Sequence, residues 1–315
     1  MRTLLIEKDI LKTLTYFDMF LYPLNKSEVF LFMPKQYESA EFECALKELL
    51  DAGMIFKPGD FISLQNNNLI ARRRLKGNER AKQLLNIAEK VGRIIWVPYV
   101  KGVAVSGSLS KGFADVDDDI DLFIITAKNR MWIARSILFT LRRLASLFGK
   151  EKWFCMNYFV DEEMLEIPEK TIYSAIEIET LLPLQGHKTF ELFFNANSWS
   201  KALLPNAPHR VSFEKPTGSS FLKYIMEKLL NNAAGDRLDN MLMHATAKRL
   251  KSKEALLKQQ VRGMLIVEKH VARHDPKVFQ HNFLLKYESR VVEVLNKYES
   301  YCEKKLAAEQ SSTVA

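Results

Sequence analysis

One stretch restricts the fold of this chain more than any other. The apolar run Gly102–Ser106 ends in Gly107-Ser108, ten residues follow, and Asp119-Ile-Asp-Leu-Phe-Ile-Ile-Thr126 opens a second run. Both runs have the length of a strand, and the alternation places Ile120, Leu122 and Ile124 on one face. Asp119 and Asp121, two apart, then share the opposite face. Gly107 allows a close approach to the backbone, and the exposed N–H groups of such a turn attract anions. Ser108 adds a hydroxyl donor, Lys111 a positive charge suited to a triphosphate, and Gly112 lets the chain turn back. Two parallel carboxylates at a strand end form a hard oxygen site for Mg²⁺ or Mn²⁺. A metal there bridges phosphate oxygens and offsets charge during phosphoryl transfer.

Gly107-Ser108-Leu109-Ser110-Lys111-Gly112 followed by Asp118-Asp119-Ile120-Asp121-Leu122 resembles the polymerase-β-type nucleotidyltransferase superfamily. Members often read Gly-Ser-Arg-Ala-Arg-Gly before Ser-Asp-Ile-Asp-Leu. Here Leu109 and Lys111 replace the arginines, and Asp118 stands where serine is common. The matching motifs cover about residues 102–160. The resemblance implies transfer of a nucleoside monophosphate from a nucleoside triphosphate to an acceptor, with release of pyrophosphate and typically two Mg²⁺ ions. It implies an α/β (α+β) fold built on a small mixed sheet, often followed by a helical domain that holds the acceptor. Asp119 and Asp121 would be catalytic and metal-binding; Gly107, Ser108, Lys111 and Asn157 would bind the nucleotide. A weaker resemblance, to poorly characterised microbial nucleotidyltransferase-like proteins, lies in Pro183–Gly186, Asn195–Trp199 and Leu204–Asn206 and says nothing about substrate.

Active members usually carry a third carboxylate on the next strand, read here as Trp153–Val160. The alternation puts Asn157 at that position, and an amide is neither anionic nor a base. Asp161 lies on the same face if the strand is unbroken, but about 13 Å further along it. Glu177 and Glu179, on a following helix, are other candidates, although a solvated helix face is the commoner reading. The chain is therefore either a nucleotidyltransferase or a nucleotide-binding regulator without catalysis.

Residues 1–68 read as a winged-helix-like segment. Ile10, Leu14, Phe17 and Leu21 recur at helical spacing, and Asn25 with Glu28 forms a capping box for a second helix. Ser39 can cap a third, and Pro58-Gly59-Asp60 turns a hairpin. DNA binding is the least favoured function, because the third helix carries Glu41, Glu43, Glu48 and Asp51 against Lys47, and phosphate neutralisation dominates affinity. Residues 69–185 then form the nucleotidyltransferase core. Residues 186–315 are read as a helical domain, with 312–315 a disordered tail.

The formal charge of +8 favours an anionic partner or simply a solvated basic surface. The run Arg72, Arg73, Arg74, Lys76, Arg80 and Lys82 allows both readings, as does the cluster Lys248, Arg249, Lys251, Lys253 and Lys258, which could grip an anionic acceptor such as RNA. The acceptor itself, whether small molecule, RNA or protein, is not readable. His270 and His274, beside Asp275, can share a metal on a helix face, but a helix-end pair before Pro276 is the simpler reading. Three scattered cysteines and no signal-peptide pattern suit a cytoplasmic location. Met131–Phe148 carries three arginines, so no membrane span is expected.

Overall fold

The computed structural model describes residues 2–207, 221–256, 265–274 and 276–313. In chain order these form α1 (Arg2–Asp18), α2 (Lys26–Leu31), α3 (Ser39–Asp51), α4 (Asn68–Ile94), β1 (Val100–Val105), α5 (Gly107–Ser110), β2 (Asp121–Thr126), α6 (Met131–Ser146), a 3₁₀ turn (Glu151–Phe154) and β3 (Cys155–Asp161). There follow α7 (Ile172–Thr180), β4 (Leu182–Gln185), α8 (His187–Ala196), α9 (Ser200–Leu203), α10 (Phe221–Leu229), α11 (Ala233–Leu256), β5 (Leu265–Val267), β6 (Val271–His274) and α12 (Pro276–Thr313). The chain is thus a mixed α+β protein with one six-stranded sheet. It divides into two compact units, one made of residues 1–76, 201–207 and 279–315, the other of 77–200 and 208–278.

The first unit opens with three helices. Asn25 caps α2, its side chain accepting from the Glu28 N–H at 2.8 Å while Glu28 accepts from the Asn25 N–H at 2.9 Å. This reciprocal box satisfies two N–H groups that a helix start leaves orphaned. Ser39 does not cap α3; it is the first helical residue, and Glu38 before it makes no side-chain cap. Beyond α3, Phe56 bridges Ser63 and Leu24 bridges Ile62 around the turn at Gly59. The basic run of α4 is partly consumed inside this unit. Arg74 is buried, lies 3.6 Å from the Tyr22 ring centroid and pairs with Glu28 at 2.6 Å. Arg73 donates to the carbonyls of Phe20 and Leu21. Both arginines are thus engaged by groups of the unit itself.

The second unit carries the sheet, in the order β4-β1-β2-β3-β6-β5. β1 pairs antiparallel with β2 and β4, β2 runs parallel to β3, and β6 pairs antiparallel with β3 and β5. Alternation along the strands divides the core. Val103, Val105, Leu122, Ile124 and Phe159 pack with Ala88 and Val91 of α4 and with Trp132 and Leu138 of α6. Ala104, Phe123, Ile125 and Val160 pack on the other side, with Ile178 of α7 and Phe190, Phe193 and Phe194 of α8. Each fully buried large side chain contributes about 1.5–3 kcal/mol, so strands buried on both faces are strongly held in register.

Three further readings change. β5 and β6 lie in a stretch whose periodicity reads as helical; their three and four residues are too short to show alternation, and pairing with distant β3 forms them. For the same reason His270 and His274 do not share a helix face: His270 lies between the two strands and His274 ends β6. Asp275 and Lys258 lie outside the described residues. The C-terminal helix continues through Ser312 and Thr313, where disorder was the expectation, and residues 314–315 are not described.

Candidate functional site

The side chains singled out by sequence meet where β1 ends and β2 and β3 begin. Register pairs Val105 with Leu122 and Asp121 with Cys155. β2 starts at Asp121, two residues later than the alternation implies, so Asp119 precedes the strand. The chain there is nonetheless held: the Ile120 N–H donates to the Lys152 carbonyl at 2.9 Å, and Ser106 N–H to the Asp121 carbonyl at 2.9 Å. Ile120 and Leu122 are fully buried, which forces the side chains of Asp119 and Asp121 the other way.

Gly107 is required twice over. Its φ is +68°, where a side chain strains the backbone, and a Cβ would lie 2.6 Å from the Asp121 Oδ2. The Gly-Ser turn is thus the floor against which the Asp121 carboxylate rests. Ser108 donates to Asp118 Oδ2 at 3.1 Å, and the same oxygen accepts from the Asp115 N–H at 2.8 Å, closing the acidic loop. Lys111 donates to the Gly107 carbonyl at 3.0 Å and pairs with Glu177 of α7 at 2.7 Å. Ser108 and Lys111 therefore stand beside the carboxylates, each engaged by a neighbouring acid.

Asn157 also reaches the pair, by a route the alternation does not show. Leu122 is opposite Met156 and Phe123 opposite Tyr158, so the register slips by one residue at Asn157. A bulge of this kind re-aims a side chain and is common beside active sites. The Asn157 Nδ2 donates to Asp121 Oδ1 at 2.5 Å, and its amide oxygen accepts from the Cys155 thiol at 3.2 Å. Asn157 thus fixes the orientation of Asp121.

The structure sorts the candidate replacement acids. Asp161 is fully buried at the far end of β3, where it accepts from the Asn129 and Glu163 N–H groups and contacts His270 Nδ1 at 2.9 Å. It ties loops together. Glu179 is buried and accepts from Ser200 at 2.6 Å. Only Glu177 acts on Asp121, and it is not on a solvated face.

Electrostatics single out the same spot. The Asp121 carboxyl is pushed up to about 6 by burial first, then by the negative charges of Glu177, Asp119 and Asp118. Burial, with Asp121 and Asp119 beside it, pushes the Cys155 thiol up to about 12, so Cys155 is no nucleophile at neutral pH. Burial and the charges of Glu177 and Asp121 raise Tyr173 as well. Negative charge held at close quarters is what a bound cation relieves, and carboxylate and amide oxygens are the donors Mg²⁺ and Mn²⁺ prefer. The residues fit such an ion in kind. Among the described residues, however, no group of three or more His, Cys, Asp and Glu is placed to hold a metal ion.

Comparison with protein-family models, curated proteins and solved structures finds no significant match. No helix among the described residues is long and apolar enough to cross a membrane.

Proposed function

We propose that this chain is a metal-dependent nucleotidyltransferase of the polymerase-β type, moving a nucleoside monophosphate from a nucleoside triphosphate to an acceptor. The observation that carries this is the convergence of Asp119, Asp121 and the Gly107-Ser108 turn at one end of β1 and β2, with Asn157 bonded to Asp121. In this reading Asp119 and Asp121 hold Mg²⁺ or Mn²⁺, which supplies charge stabilisation for phosphoryl transfer when bound. Gly107, Ser108 and Lys111 bind the triphosphate, Ser108 and Lys111 exchanging their present acidic partners for phosphate oxygens. Asn157 keeps Asp121 aimed at the metal. Glu177, released from Lys111 by that exchange, is the carboxylate available to accept the acceptor's proton.

A second reading, a nucleotide-binding regulator without catalysis, is favoured by one observation: an amide, Asn157, occupies the place of a third acid. One assay separates them. The purified chain is incubated with Mg²⁺ or Mn²⁺ and each α-labelled nucleoside triphosphate, alone and with RNA or a metabolite extract. Label transfer that vanishes in Asp119→Asn/Asp121→Asn supports the enzyme. Metal-dependent binding without transfer favours the regulator, and absence of binding to every triphosphate by folded protein rejects both.

A further inference from the structure

The three arginines of the apolar helix α6 come together with one of α11, all within the second unit. Arg142 and Arg143 follow Arg135 by about two helical turns, so the three share a face of α6 with Phe139 and Ser146. With Arg249 they line a cavity of about 490 Å³, in which Glu151 of the 3₁₀ turn is the one acid. Among the described residues, none of these four arginines forms an ion pair or a side-chain hydrogen bond. The buried arginines elsewhere behave differently: Arg74, Arg130 and Arg273 each meet a carboxylate, of Glu28, Asp236 and Glu169. Arg135 instead lies against aromatic rings, its guanidinium 4.2 Å from the Phe139 centroid and 5.3 Å from that of Trp132. Its Nε is buried without a hydrogen-bond partner, and so is the Oε2 of Glu151. Arg142 is half-buried and Arg143 and Arg249 are exposed, so the cavity is open to a ligand from solvent.

Four guanidinium groups against one carboxylate leave an excess of three positive charges around one cavity. Neutral donors are scarce on its walls. The hydroxyls of Ser136, Thr140, Ser146 and Thr246 each donate to a carbonyl of their own helix. An anion here is therefore held by guanidinium groups, and their number selects its class. A carboxylate carries one charge and fills a single planar fork. Arginines from two helices suit oxygens arranged tetrahedrally about phosphorus, and two linked phosphoryl groups carry enough charge to offset three cations. The volume is that of a small-molecule site, which leaves room for an organic group against Phe139 and Leu250.

We infer that the arginine cavity between α6 and α11 is an anion site that takes a diphosphate group. The shared chemistry is the diphosphate. Its source, free pyrophosphate or the diphosphate of an organic ester, is separated by the arms of one experiment. The site uses neither Asp119 nor Asp121 and needs no metal, so it stands independently of nucleotidyl transfer.

The test is isothermal titration calorimetry of the full chain in EDTA, with pyrophosphate, ADP, orthophosphate and citrate as titrants. With metal chelated, Asp119 and Asp121 repel an anion, so binding through them is suppressed. Pyrophosphate, ADP or both should bind at a single site and more weakly as salt is raised. Arg142→Ala with Arg249→Ala should weaken that binding at least about tenfold, since a hydrogen bond to a charged group is worth about that factor. Neither side chain is buried, and circular dichroism of the variant checks its fold. Arg135→Lys keeps the charge but loses the planar fork, so it should weaken binding by a smaller factor. Asp119→Asn/Asp121→Asn should leave binding unchanged. Tighter binding of ADP assigns the site to an organic diphosphate, tighter binding of pyrophosphate to the free ion, and equal binding to the diphosphate group alone; each supports the inference. It is overturned if folded wild type binds neither diphosphate, or if the double arginine variant keeps full affinity. Loss of binding in the aspartate variant also overturns it, as does binding of citrate or orthophosphate as tight as that of the diphosphates. Metal-dependent label transfer without metal-free diphosphate binding would sink this inference and leave the proposed function standing; the opposite pair of results would do the reverse.

Discussion

Asp121 is held under strain of charge. Its carboxylate is largely desolvated, faces Glu177, Asp119 and Asp118, and is fixed by Asn157 and by the absence of a side chain at Gly107. Function and stability therefore pull in opposite directions here. Asp121→Asn should raise unfolding stability at pH 7 by about 1–2 kcal/mol, because a repelled, desolvated charge is removed, while metal-dependent nucleotide binding is lost. Urea unfolding and nucleotide titration of the same sample check both halves; a stability loss would show that the charge cluster is not destabilising. Gly107→Ala should do the reverse of a stabilising change. A left-handed backbone and a Cβ at 2.6 Å from Asp121 Oδ2 predict a loss of about 1–3 kcal/mol, together with displacement of the carboxylate and weakened metal binding. Gly107, Ser108, Asp119 and Asp121 were legible as a cluster from their spacing alone, because turn and strand periodicity are local properties. Glu177 was only one of several candidates, since its approach to Asp121 depends on how α7 packs on the sheet.

At the scale of elements, α6 is anchored through its first turn by α11 and the segment before it. Asp239 accepts from the Ile133 N–H at 2.9 Å, and Arg130 pairs with Asp236 at 2.5 Å and donates to the Leu230 carbonyl at 2.9 Å. Asp239 thus satisfies a donor that the start of α6 leaves orphaned. Burial outweighs the Ile133 and Trp132 N–H groups and Arg130, pushing the Asp239 carboxyl up from 3.8 to about 6. An acid whose folded pKa is raised favours the folded state most below its unfolded pKa. That contribution is lost as pH rises through the folded value. Between about pH 4 and pH 7, wild type should therefore lose about 1–2 kcal/mol relative to Asp239→Asn. Urea midpoints measured across that window test it; a constant difference would mean Asp239 is not perturbed. The bulge at Asn157 belongs to this scale too. An alternating pattern cannot reveal that one residue slips out of register, and the slip is what turns Asn157 toward Asp121.

At the scale of the molecule, the first unit is assembled from three separate stretches of chain. Its C-terminal helix is integral to its core: Phe283 is buried, with its ring 5.2 Å from that of Tyr16, and Tyr298 donates to the buried Glu7. Phe283→Ala should destabilise this unit by about 3 kcal/mol through transfer and cavity terms. Urea unfolding of the full chain, followed by tyrosine fluorescence and by limited proteolysis, measures the loss. A change under about 0.5 kcal/mol would mean that α12 contributes no core there.

Local sequence by itself determined the Asn25–Glu28 box, the strand alternation that buries Ile120 and Leu122, and the Gly-Ser and Asp-x-Asp segments. All depend on residues a few positions apart, where backbone sterics and side-chain periodicity decide the outcome. Tertiary structure alone decided that Arg73 and Arg74 are spent inside the first unit, that Asp161 braces loops at the wrong end of β3, that Glu177 reaches Asp121, and that two short segments become β5 and β6. Each of these depends on partners tens to more than a hundred residues away, and their pairing is set by packing that no local pattern encodes.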